Sequence, residues 1–166
     1  MGISPDAPFI TMGCDVGRWL HVEITEWQAM KNPKNVDINA IAIAKPIFIG
    51  KVTDFQELAT LFLKFNVYYA VVDAQPERRK AYEFSMMFPG RVSLCFYGNS
   101  CAGKQLNVSS ESSVEPTVTV DRTSWLDVSL SRFRTKRIIL PGDTPLEYKS
   151  HVKNLVRIYK KDERGN

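Results

Sequence analysis

Apolar positions along the first hundred residues fall into two regimes, short runs with a period of two and longer stretches with a period near 3.6. Phe9-Ile10-Thr11-Met12-Gly13-Cys14-Asp15 and Tyr68-Tyr69-Ala70-Val71-Val72-Asp73 are apolar runs of strand length, the pattern of buried strands. Between them Trp19 to Trp27 alternates apolar with polar residues, and Asp15-Val16-Gly17-Arg18 supplies a turn, so the two segments predict a hairpin. Residues Met30 to Asp37, with Asn32-Pro33 and Asn35, predict a polar loop. Ile38 to Gly50, rich in Ile and Ala, predicts a third strand bent at Pro46.

The period then changes. Thr53 or Asp54 can cap a helix over Phe55 to Phe65, whose Phe55, Leu58, Ala59, Phe62 and Leu63 share one face. After the Tyr68–Asp73 strand, Pro76 suits the first turn of a helix reaching Met87, which Pro89-Gly90 ends, and Arg91 to Tyr97 predicts a fifth strand. The element order β-β-β-α-β-α-β, combined with right-handed crossovers, predicts an α/β mixed sheet in the order 3-2-1-4-5, flanked by helices. The first and fourth strands then run parallel, and their carboxyl ends open on one crevice, the place where open sheets bind ligands.

The second half is less regular. Asn99 to Pro116 is rich in Ser and Gly and predicts an exposed excursion, followed by a short strand Thr117–Asp121. Thr123 or Ser124 can cap a helix through Phe133, Arg137–Leu140 is a short apolar run, and Pro145 can start a helix over Leu146 to Val152. Asn154 to Tyr159 predicts a last strand, and Lys161 to Asn166 a turn with no returning strand.

Chemistry enters with the residues that close the two apolar runs. Burying an unpartnered carboxylate is costly, so Asp15 and Asp73 belong at strand exits, where water or a cation reaches them. Neighbouring strands lie about 4.8 Å apart, so carboxylates at matching ends repel, and one pKa rises unless a divalent cation sits between them. The bland alternative is that Asp15 only caps a turn. Gly17 would allow close approach of a phosphate or of backbone.

Other motifs carry less. Gly98 to Gln105 fits seven of the eight positions of the phosphate-cradling GxxxxGK[ST] loop, but Gln105 stands where a hydroxyl should bind magnesium, so it reads as a plain loop. His21 and His151 read as surface residues of a strand and a helix, and there is no GxSxG elbow for Ser-His-Asp catalysis. Trp19, Trp27 and Trp125 read as core or rim packing.

At 166 residues with 44% in the hydrophobic set, the chain fits one globular domain, residues 1–166, with no run of the roughly 20 apolar residues that span a bilayer and no signal-type start. We therefore expect no membrane partner. Three cysteines without a CxxC pair argue against a disulfide framework or a thiolate zinc site and fit a reducing compartment. The formal charge of +4 favours a polyanionic partner, with basic clusters at Arg78-Arg79-Lys80, Arg132 to Arg137 and Lys149 to Arg164.

Taken in order, GCDVG at Gly13–Gly17, VVDAQPERR at Val71–Arg79, VTVDRTSWLD at Val118–Asp127, RIILP at Arg137–Pro141 and EYKSHVKNLVRIYKKDERGN at the end make the chain resemble the nuclease domain of the large terminase subunit of tailed bacteriophages. That family is a branch of the ribonuclease H-like nucleases. The resemblance implies a ribonuclease H-like sheet of five or more strands. It also implies metal-dependent endonucleolytic cleavage of double-stranded viral DNA concatemers during genome packaging, in the host cytoplasm. Asp15 and Asp73 would then be catalytic residues that bind two Mg²⁺ or Mn²⁺ ions about 4 Å apart. A third carboxylate is expected beyond Asn166, so the chain reads as an excised nuclease domain ending before the C-terminal helix. The implied partners are DNA and, in a full-length protein, a packaging ATPase domain, the small terminase subunit and the capsid portal. Two other readings stay open, an actin-like ATP-binding domain and a non-catalytic docking module on a similar sheet.

Overall fold

A computed structural model describes residues 9–28, 42–98, 109–112 and 114–155. The strands are β1 (Phe9–Val16), β2 (Leu20–Gln28), β3 (Ile43–Val52), β4 (Tyr69–Asp73), β5 (Val92–Tyr97), β6 (Ser109–Glu111) and β7 (Thr117–Val120). The helices are α1 (Phe55–Lys64), α2 (Arg78–Met87), α3 (Arg122–Arg134) and α4 (Leu146–Asn154). All seven strands join one mixed sheet in the order β3-β2-β1-β4-β5-β7-β6. Its first five strands have the order of a ribonuclease H-like sheet, and the structure is of the α/β class that the sequence predicts.

Strands β1, β2 and β3 form an antiparallel meander, whereas β1, β4, β5 and β7 run parallel and so end at one edge of the fold. The crossovers bury a continuous apolar layer on one face. Met12, Cys14 and Val16 of β1, with Ala70 and Val72 of β4, pack against Leu58, Ala59 and Phe62 of α1 and Ala81 and Phe84 of α2. Phe62 stacks on Phe88 with ring centroids 4.1 Å apart and meets Phe84 edge-on at 6.2 Å. Removing these rings from water is the main source of stability here, each aromatic contributing a large apolar area.

The two ends of α1 show why it stops where it does. Asp54 accepts the Glu57 N–H at 2.9 Å, while the Glu57 carboxylate reaches back to the Thr53 N–H at 2.7 Å and its hydroxyl at 2.9 Å, a reciprocal cap. The helix ends at Lys64, one residue short of the predicted Phe65, and Asn66 takes the left-handed conformation at φ 49°. Gly90, at φ +72°, turns the chain from α2 into β5.

The second face is covered by α3 and α4 through polar and aromatic contacts. Trp125 packs on Cys95, Val118 and Val120. The buried Arg132 guanidinium sits 4.9 Å from the centre of the Trp27 ring. Tyr148 donates to Glu23 at 2.9 Å, and Lys51 pairs with Glu147 at 3.4 Å.

Several boundaries differ from expectation. The third strand is Ile43–Val52, with a register shift opposite Ile24 and Thr25 beside Pro46, which has no N–H to give the ladder. Residues 38–41 of the predicted strand, and the predicted loop Met30–Asp37, lie outside the described residues. Pro76 is not in a helical turn: α2 begins at Arg78, because Asp73 accepts the Gln75 N–H at 3.2 Å and turns the chain first. Ser109–Glu111, expected in an exposed excursion, is an edge strand antiparallel to β7. The cap of α3 is Asp121, which accepts the Ser124 N–H at 2.7 Å, in place of Thr123 or Ser124. Ile138 bridges Ala44 at the β3 edge. Asn154 closes α4 and Leu155 caps it, so neither opens a strand; residues 156–159 of that predicted strand, and the turn after it, lie outside the described residues. No helix among the described residues is long and apolar enough to cross a membrane.

Candidate metal centre

The parallel register of β1 and β4 matches Thr11 with Tyr69, Met12 with Ala70, Gly13 with Val71 and Cys14 with Val72. One step further along the two strands stand Asp15 and Asp73. Because side chains alternate along a strand, both aspartates leave the face that buries Cys14 and Val72 and share the opposite one. Asp15 is exposed and Asp73 half-buried. The structure brings the two acids together, as the predicted strand order requires.

The electrostatics follow from that proximity. Burial holds the Asp73 carboxyl above its ordinary range, and the charge of Asp15, within hydrogen-bonding reach, pushes the same way. The Gln75 N–H and the Arg122 guanidinium partly offset the rise. Two neighbouring carboxylates repel each other when both are ionised, and a divalent cation relieves that repulsion.

The donor chemistry fits magnesium or manganese. Both groups offer hard carboxylate oxygens to one space, the ligand type those ions take. The nearby thiols do not compete. Cys14 is buried on the other face with its pKa pushed up to about 12 by burial, and Cys95, the strand partner of Asp73, is raised by burial to about 11. Among the described residues no three His, Cys, Asp or Glu side chains are grouped to hold a metal, and the site comprises this pair of carboxylates. Glu23 on the same face is engaged by Tyr148 at 2.9 Å and by the Thr25 hydroxyl at 2.9 Å.

A groove of about 1160 Å³ runs along this face, with Asp15, Gly13, Val71, Tyr97, Trp125 and Tyr148 in its lining. Space stays open above Gly13, where an added Cβ would meet nothing within 4 Å. Gly17 has a plainer role than expected: an added Cβ there makes only an ordinary 3.7 Å contact with the Trp19 carbonyl.

Two residues beside the pair were not singled out in the sequence. Tyr97 follows Cys95 by two positions on β5 and so shares the aspartate face, and Arg122 lies just after β7 with its guanidinium 5.5 Å from the Tyr97 ring centre. The signal was the parallel order itself, which carries the ends of β5 and β7 to the edge where β1 and β4 end. His21, the strand partner of Asp15, meets His151 of α4 at 6.2 Å between ring centroids. Trp27 donates to Thr11 at 2.7 Å, and Trp19 is a rim residue beneath Lys51. Most of the GxxxxGK-like stretch lies outside the described residues. No family model, curated protein or solved structure matches this chain.

Proposed function

We propose that this domain is a divalent-metal-dependent endonuclease acting on double-stranded DNA, and that it serves viral genome packaging as the terminase nuclease domains it resembles do. The observation that carries the reading is the placement of Asp15 and Asp73 at matched carboxyl ends of neighbouring parallel strands, facing each other beside an open groove. Asp15 and Asp73 would hold Mg²⁺ or Mn²⁺, which when bound supplies Lewis-acid polarisation of a phosphodiester and an acidified water. The chain's own contribution is position. The strand ladder fixes both backbones, and the Gln75 N–H bond limits the rotation of the Asp73 carboxylate. The third carboxylate that the resemblance implies would complete the ligand set in this reading, and a packaging ATPase domain, the small terminase subunit and the portal are its proposed partners.

The test is nicking of supercoiled plasmid by the intact protein in Mn²⁺, beside its Asp15→Asn and Asp73→Asn variants. Metal-dependent conversion to open circles by the wild type, lost in both variants, is the expected result. Cleavage that persists in either variant at the wild-type rate would overturn the reading.

A further inference from the structure

We propose that Arg122, held against the ring of Tyr97, is the residue that grips a backbone phosphate of DNA beside the Asp15–Asp73 pair. This assignment rests on the nuclease reading and names the substrate contact that reading lacks. Two acids at one edge create a field that repels a phosphodiester, so a productive site needs a fixed cation at its rim.

The topology supplies one. Strand β7 runs parallel to β5 with Val120 opposite Tyr97, and β5 runs parallel to β4 with Cys95 opposite Asp73. Asp73, Cys95 and Tyr97 therefore line one face at the carboxyl edge, and Arg122 follows Val120 by two residues. Asp121 between them is tied to the Ser124 N–H at 2.7 Å, which fixes the backbone from which Arg122 projects. The guanidinium lies 5.5 Å from the Tyr97 ring centre, and both side chains are exposed. Stacking on a ring orders the planar fork while leaving its N–H edge free for an oxyanion, the use to which arginine is better suited than lysine. Among the described residues Arg122 has no carboxylate within ion-pairing distance, whereas Lys51, the cation near Trp19, is already paired with Glu147. Arg78, another arginine on a ring, sits on Phe96, which belongs to the opposite face of β5.

The experiment measures binding of a fluorescein-labelled 20-base-pair duplex to the full chain in Ca²⁺ across a salt series, with the Mn²⁺-induced melting shift recorded in parallel. Arg122→Gln is expected to lower the magnitude of the log K against log salt slope by about 0.9, the value of one phosphate contact. Arg122→Lys should keep the slope, and Tyr97→Leu should weaken binding several-fold with the slope unchanged. A slope in Arg122→Gln equal to wild type, or a wild type that binds no duplex, overturns the assignment. Loss of the Mn²⁺ shift in the wild type instead sinks the nuclease reading beneath it.

Discussion

The carboxyl group of Asp73 lies within hydrogen-bonding reach of that of Asp15, one register step beyond the paired Cys14 and Val72. Strand pairing brings them to matched ends, since parallel neighbours place equivalent residues side by side. The fold holds two like charges together, and that costs stability wherever both are ionised.

The sign of this cost is testable without a metal. The folded-state pKa of Asp73 is raised above its ordinary 3.8, so the folded protein binds the proton more tightly than the unfolded chain. The stabilisation is fully present below that ordinary value and is lost as pH rises through the higher folded value. At pH 7 in EDTA, Asp73→Asn is therefore expected to melt above wild type, because it removes one of two neighbouring like charges. Melting curves from pH 3 to pH 8 check it, with the advantage shrinking toward the acid end. A variant that melts lower than wild type at pH 7 would show the pair to be a net attraction.

Manganese should reverse that ranking. A ligand that binds only the folded state adds about 2.7 kcal/mol at a hundred times its Kd, so the wild type should gain several degrees in millimolar Mn²⁺. Asp15→Asn and Asp73→Asn should each lose most of that gain. Differential scanning calorimetry with and without the metal separates the cases, and equal shifts in all three proteins would place the cation elsewhere.

The aspartate pair was legible because each acid interrupts an apolar pattern, and because the crossover rule leaves little choice about which strand lies beside β1. Other features had no comparable signal. Ser109–Glu111 carries no apolar alternation, since an edge strand of three residues is held by its ladder to β7 rather than by burial. Helix α3 lacks an apolar stripe, and its one buried residue is Arg132, docked on the Trp27 ring. Hydrophobic periodicity could not reveal how such a helix packs. Asp121 outcompeted Thr123 and Ser124 as a cap because β7 ends at Val120, a boundary set by pairing with Tyr97.

The face under α1 and α2 makes a different demand. Phe62 is 1% exposed and contacts both Phe84 and Phe88. Phe62→Ala should cost about 3–5 kcal/mol, because the cavity left behind is walled by sheet on one side and helix on the other. Urea unfolding followed by circular dichroism should show a lower midpoint with an unchanged slope. A loss below about 1 kcal/mol would mean that the site collapses freely.

Helix α4 has no fully buried residue, so its attachment to the sheet rests on a few polar contacts, chiefly the Tyr148 hydroxyl on Glu23 at 2.9 Å. Burial raises the pKa of that hydroxyl, and the neighbouring Glu23 carboxylate raises it further, so Tyr148 stays a donor through the neutral range. Tyr148→Phe keeps the ring and removes the donor, which should cost about 1 kcal/mol and leave Glu23 with the Thr25 hydroxyl. Hydrogen exchange at pH 7 reads the effect locally. Amides of Leu146–Asn154 should exchange several-fold faster in the variant while those of β1 and β4 stay protected, because the helix can lift without opening the sheet. Faster exchange across both strands would instead tie α4 to the integrity of the whole fold, and unchanged exchange in α4 would move its anchor to Lys51 and Glu147.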